Sequence, residues 1–93
     1  MTSEEFASVW DAIEDTPAEA ANMKLRSTLM RALEQHIKDQ GWTQAETARR
    51  LDVTQPRVSD LMRGRIDLFP LDALVNMLTA AGLRVEMQVA SAA

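Results

Sequence analysis

The sequence predicts an all-α protein: a compact helical bundle built around a helix-turn-helix, plus one C-terminal β-strand paired across a dimer. Three observations carry this. Apolar residues recur at helical spacing through most of the 93 residues. The stretch TQAETARRLDVTQPRVSDLMRG, residues 43–64, holds two short capped helices around a turn, and beyond Gly82 the apolar period changes to strict alternation. The implied divisions are an acidic N-terminal helix at 1–15, a helix-turn-helix domain at 16–82 and a dimerisation strand at 83–90.

The first helix is expected from about Ser3 to Glu14. Ser3 caps it, Glu4 and Glu5 suit its positive end, and Phe6, Val9, Trp10 and Ile13 form an i, i+3, i+4, i+7 stripe. Asp11, Glu14 and Asp15 lie off that stripe, either as a solvated face or as a docking surface for a basic partner. Thr16-Pro17-Ala18-Glu19 is a capping box with proline first in the helix, so a long helix starts at Pro17 and runs to Gln40, where Gly41 stops it. Leu25, Leu29, Met30, Leu33 and Ile37 supply its apolar stripe. Trp42 is placed to fill the space between this helix and the motif, and His36 borders the stripe.

In the motif, Thr43 and Glu46 form a capping box that starts a helix at Gln44. Asp52 stands at the reversal, and Thr54 caps a second helix opening Gln55-Pro56-Arg57, with the proline in its tolerated first turn. Ala45, Ala48 and Leu51 face inward from the first helix, and Val58, Leu61 and Met62 from the second, with Ala48 small at the expected crossing. The opposite face of the second helix carries Pro56, Asp60 and Arg63, flanked by Gln55, Arg57 and Ser59.

After Gly64, RIDLFP is too short and mixed for an element, and Ile66, Leu68 and Phe69 tuck the connection against the core. Pro70 opens LDALVNMLTAAG, with Leu71, Leu74, Val75 and Leu78 at helical spacing and Gly82 as the stop. Leu83, Val85, Met87 and Val89 then alternate with Arg84, Glu86 and Gln88 as a half-buried strand does. The chain offers it no second strand, so a homodimer with antiparallel strands about a two-fold axis is expected. A frayed tail, or a strand added to another protein's sheet, is the alternative.

Composition excludes several classes. With no Cys and one His, neither a disulfide framework nor a Cys/His metal site fits one chain; no cofactor is expected, nor an enzyme, since no nucleophile or cleft residues accompany the carboxylates. No apolar run approaches a membrane span and the N-terminus is acidic, so a cytoplasmic protein without membrane contact or small-molecule substrate is expected. The net charge of −4 is segregated. Residues 1–23 carry six acids and no Lys or Arg, whereas Arg49, Arg50, Arg57, Arg63 and Arg65 outweigh Glu46, Asp52 and Asp60 around the motif.

TQAETARRLDVTQPRVSDLMRG resembles the helix-turn-helix of the XRE (Cro/cI-like, lambda-repressor-like) DNA-binding proteins, and DLFPLDALVNMLTAAGLRVEM is similar to a subgroup that includes HigA-type antitoxins. The resemblance covers about residues 16–89. It implies a dimeric repressor of its own operon that masks a basic RelE/HigB-like toxin, with Asp11, Glu14 and Asp15 as the toxin-docking surface. It places Gln44 on the DNA backbone and Gln55, Pro56, Arg57, Ser59 and Asp60 on the outward face of the recognition helix. Two positions depart from the pattern: Asp52 replaces the common turn glycine, and Thr47 stands where a larger apolar residue is usual, which predicts looser packing.

Chemically, Gln44, Arg49 and Arg63 suit phosphate, with Thr54 and Arg65 at the two ends of the second helix. Gln55 and Arg57 suit adenine and guanine. Asp60 either accepts from a cytosine amine or pairs with Arg57 or Arg63 to fix their direction. The expected target is double-stranded DNA carrying an inverted repeat. A helical module that neutralises a partner without reading DNA is the competing function.

Overall fold

Four α-helices and one short 3-10 turn follow in order in the computed structural model, which describes residues 16–92: α1 (Pro17–Gln40), α2 (Gln44–Leu51), α3 (Gln55–Met62), the turn Ile66–Leu68, and α4 (Leu71–Ala80). The expected helix at 3–14, with Asp11, Glu14 and Asp15, lies outside the described residues.

Each helix begins and ends where local chemistry dictates. The Thr16, Thr43 and Thr54 hydroxyls accept the amides of Glu19, Glu46 and Arg57 at 3.0, 3.1 and 3.3 Å, supplying acceptors for donors that no helical carbonyl reaches. The carboxylates do not reach back to the cap amides as expected: Glu19 accepts a hydrogen bond from the Thr16 hydroxyl, and Glu46 turns toward two arginines. At the other end, all four helices are followed by a residue in the left-handed region, at Gly41, Asp52, Gly64 and Gly82. Asp52 is the only non-glycine among the described residues with positive φ, at 57°. Its amide and that of Val53 donate to Arg49 and Ala48, the paired bonds of a Schellman closure that offset the side chain's steric cost.

The core lies where α1, α2, α3 and α4 meet. Met30, Leu33 and Ile37 of α1 pack with Leu51, Leu61, Phe69, Leu74, Met77 and Leu78. Ala48 and Val58 are also buried, as the close crossing of α2 and α3 requires. Thr47 is fully buried, and its hydroxyl donates to the Thr43 carbonyl at 2.8 Å, so the polar group at this position is satisfied locally. Ala45, Leu25 and Met62 were expected inside and are exposed. Met62 is the last residue of α3 and is 36% exposed, whereas Phe69 of the connection is fully buried.

The C-terminal strand is likewise corrected. Residues 83–90 form no strand, because a ladder needs a second edge and none of the described residues supplies one. The alternation survives in part: Leu83 and Val85 are half-buried against the core, whereas Met87 and Val89 stand 76% and 85% exposed. Gly82, at φ 91°, turns the chain out of α4, with the Leu83 amide returning to the Leu78 carbonyl at 2.9 Å. No helix among the described residues is long and apolar enough to cross a membrane.

Candidate nucleic-acid interface

The two motif helices are eight residues each, joined through Asp52, Val53 and Thr54, and each is capped by a threonine hydroxyl. Burial of Val58 and Leu61 fixes the rotation of α3. With those two inward, Gln55 and Pro56 are exposed, Ser59 and Asp60 half-exposed, and Arg63 exposed at the end. This face was legible from spacing, and the structure brings these residues together on one side. Gln44 and Thr54, at the starts of the two motif helices, are exposed, as are Arg49 and Arg65.

Arg57 departs from the sequence reading. Its guanidinium lies over the Phe69 ring at 4.0 Å and donates to the Leu68 carbonyl at 2.8 Å. Helical geometry puts position 57 on the flank of α3 beside the connection, so the side chain meets an aromatic face and a backbone carbonyl there. From the other side, Arg26 of α1 donates to the Phe69 carbonyl at 3.0 Å and the Ile66 carbonyl at 2.7 Å. Two arginines thus clamp the connection that follows the recognition helix. Sequence reasoning missed Arg26, although a signal existed: it falls at i−4 from Met30 and i−7 from Leu33, on the stripe that faces the core.

Asp60 makes no ion pair with Arg57 or Arg63 among the described residues, so its expected orienting role is not realised: Arg57 is engaged elsewhere. Its backbone carbonyl accepts from Arg65 at 3.1 Å, closing the helix, and the carboxylate is left for the outward face.

The arginines of α2 are organised by one carboxylate. Glu46 accepts from Arg49 at 2.6 Å and Arg50 at 2.5 Å. The Arg49 hydrogen bond first, then that of Arg50, lowers the Glu46 pKa below its ordinary value, so both pairs persist at neutral pH and are lost only in acid. Arg50 also lies over the Trp42 ring at 4.7 Å, and His36 meets the same ring edge-on at 5.4 Å. Trp42 packs against the core from the predicted position, and Arg50 covers its ring while its side chain stays 46% exposed. Arg49, whose side chain is 68% exposed, needs only to leave a surface ion pair to reach a phosphate. No metal-binding group of three or more His, Cys, Asp or Glu residues occurs among the described residues.

A family model described as a helix-turn-helix domain matches residues 12–90. No curated protein matches the chain. Among solved structures, one named "Putative XRE Family Transcriptional Regulator" superposes with a TM-score of 0.73 at 29% identity, covering 78% of this chain and 82% of the other. With motif, caps and recognition face in place, the chain belongs to the helix-turn-helix domain family.

Proposed function

We propose that this chain is a sequence-specific DNA-binding transcriptional regulator of the XRE type, a non-catalytic repressor that acts as a homodimer on an inverted-repeat operator. The observation that carries this reading is the outward face of α3: Gln55, Pro56, Ser59, Asp60 and Arg63 are accessible together, bordered by exposed Arg49 and Arg65. Arginines here supply the sequence-independent attraction, and Gln55 and Asp60 present groups that distinguish base edges. The overall acidity does not oppose this, because the acids are concentrated at the N-terminus. The dimer is supported by residues 84–90, which lie outside every helix, carry exposed Met87 and Val89, and have the alternating sequence of a strand with no strand pairing among the described residues. Leu83, Val85, Met87 and Val89 form the candidate pairing edge.

Titration onto the DNA upstream of the gene tests both parts. Protection of an inverted repeat with half-site centres about 10 bp apart, or a multiple, two chains per repeat, and affinity that falls steeply with salt are expected. Salt-indifferent binding, or one chain per site, would overturn the reading.

The regulator is further read as the antitoxin of a HigBA/RelE-type pair, supported by the likeness of the motif and of the LDALVNMLTAAG helix to that subgroup and by the acidity of residues 1–23. In this reading Asp11, Glu14 and Asp15 dock a basic toxin that cleaves messenger RNA. Co-expression with the product of the neighbouring reading frame should give a complex that dissociates when these three are changed to Asn and Gln. Capture unaffected by those changes sinks the docking site.

A further inference from the structure

Of the four Lys and Arg residues on α1, Lys24, Arg31 and Lys38 are exposed and Arg26 is half-buried. Arg26 forms no ion pair among the described residues. Its guanidinium is spent on backbone instead: Nε donates to the Phe69 carbonyl at 3.0 Å and Nη2 to the Ile66 carbonyl at 2.7 Å. These are donors of one rigid plane, so the two carbonyls, three residues apart, are fixed relative to each other as well as to α1. The Leu68 carbonyl between them accepts from Arg57 at 2.8 Å. Three of the four carbonyls from Ile66 to Phe69 therefore end on a guanidinium.

The connection is in turn tied to both ends of the recognition helix. Arg57, in the first turn of α3, rests on the Phe69 ring and holds the Leu68 carbonyl. At the other end the Gly64 and Arg65 amides donate to the Leu61 and Asp60 carbonyls at 3.0 and 3.1 Å, and the Leu68 amide returns to the Arg65 carbonyl at 3.0 Å. Burial of Val58 and Leu61 decides which side of α3 faces inward. Apolar contact is non-directional, however, and leaves tilt and sliding of the helix soft. Hydrogen bonds are directional, and those at the two ends of α3 lead through the connection to Arg26.

We propose that Arg26 is a positioning residue for DNA reading. Without touching DNA, it holds the connection against α1 and so sets both the pose of α3 and the place of Arg57. The proposal rests on the DNA-binding reading and deepens it, adding a residue from outside the helix-turn-helix motif. Groups that read base edges must be held within about 0.5 Å of their productive place, so a small shift of α3 is felt at every base pair the helix meets. Arg26→Lys is the informative change. It keeps the charge and the apolar stem, but a single ammonium cannot present two coplanar donors to two separate carbonyls.

The test uses the full chain and the DNA upstream of its gene, at a temperature where thermal denaturation shows both proteins folded. Arg26→Lys should weaken binding by about tenfold, by the same factor at the operator and at each of its single-base variants. The dependence on salt should stay as steep as in the wild type, because no phosphate contact is lost. In the free protein the Arg57 δ-proton resonances, displaced by the Phe69 ring, should move toward their unstructured values in the variant. A folded variant with wild-type affinity, unmoved Arg57 resonances, or a salt slope smaller by about one phosphate contact each overturns the role. One measurement needs no variant: the wild-type Arg26 Nε–H should stay protected from exchange with DNA bound, and loss of that protection overturns the role as well. Failure of the wild type to bind overturns the DNA-binding reading and this role with it, whereas equal binding by the two proteins overturns this role alone.

Discussion

Phe69→Ala lowers the stability of the protein by about 3–5 kcal/mol, the range for truncating a fully buried aromatic side chain. Phe69 is the largest of the fully buried side chains among the described residues and belongs to the core shared by α1, α2, α3 and α4. Its position outside any helix makes the loss harder to absorb. The ring is the surface on which Arg57 rests, and the Phe69 carbonyl is one of two held by Arg26, so a collapse there also loosens both arginines. A single domain of this size is stable by roughly 5–15 kcal/mol, so the variant sits near its unfolding threshold. Phe69→Leu, which keeps much of the volume, should cost under about 2 kcal/mol, the range for near-volume-conserving core swaps. Urea denaturation of the three proteins measures both, and a loss below about 1 kcal/mol for the alanine variant would show that the pocket closes on itself.

What could be read from the chain follows from how local the governing interactions are. Thr16, Thr43 and Thr54 act on amides three residues away, and Gly41 and Gly82 act on the turn that precedes them, so the helix boundaries were visible in short windows. The turn at Asp52 was visible for the same reason. The errors fall where a side chain is committed to something distant in sequence. Arg57 was read as a free base reader because nothing near it shows that Phe69, twelve residues on, offers a ring. Arg26 was not read at all, since its partners lie 40 and 43 residues away. Residues 83–89 alternate in sequence as a strand does, but a strand is a property of two segments, and periodicity reports one.

The contrast between Gln55 and Arg57 gives the second large effect. Gln55 opens α3 with an exposed side chain that makes no hydrogen bond within the chain among the described residues, so its bonds are available to a base edge without disturbing the fold. Gln55→Ala should leave the melting temperature unchanged and cost about 1–3 kcal/mol of binding at sites carrying its preferred base pair, with little effect at sites lacking it. Arg57→Ala should behave in the opposite way. Loss of the ring contact and of the charged bond to Leu68 lowers stability by about 1–3 kcal/mol, and binding weakens to a similar degree at all sequences because α3 is held less firmly against the connection. Affinity measured across single-base operator variants, beside thermal denaturation, separates the two roles. Should Arg57→Ala instead relax selectivity at one base pair while the melting temperature stays fixed, the guanidinium must leave Phe69 on binding DNA. The ring contact would then describe the free protein alone, and the price of breaking it would count against affinity for every operator.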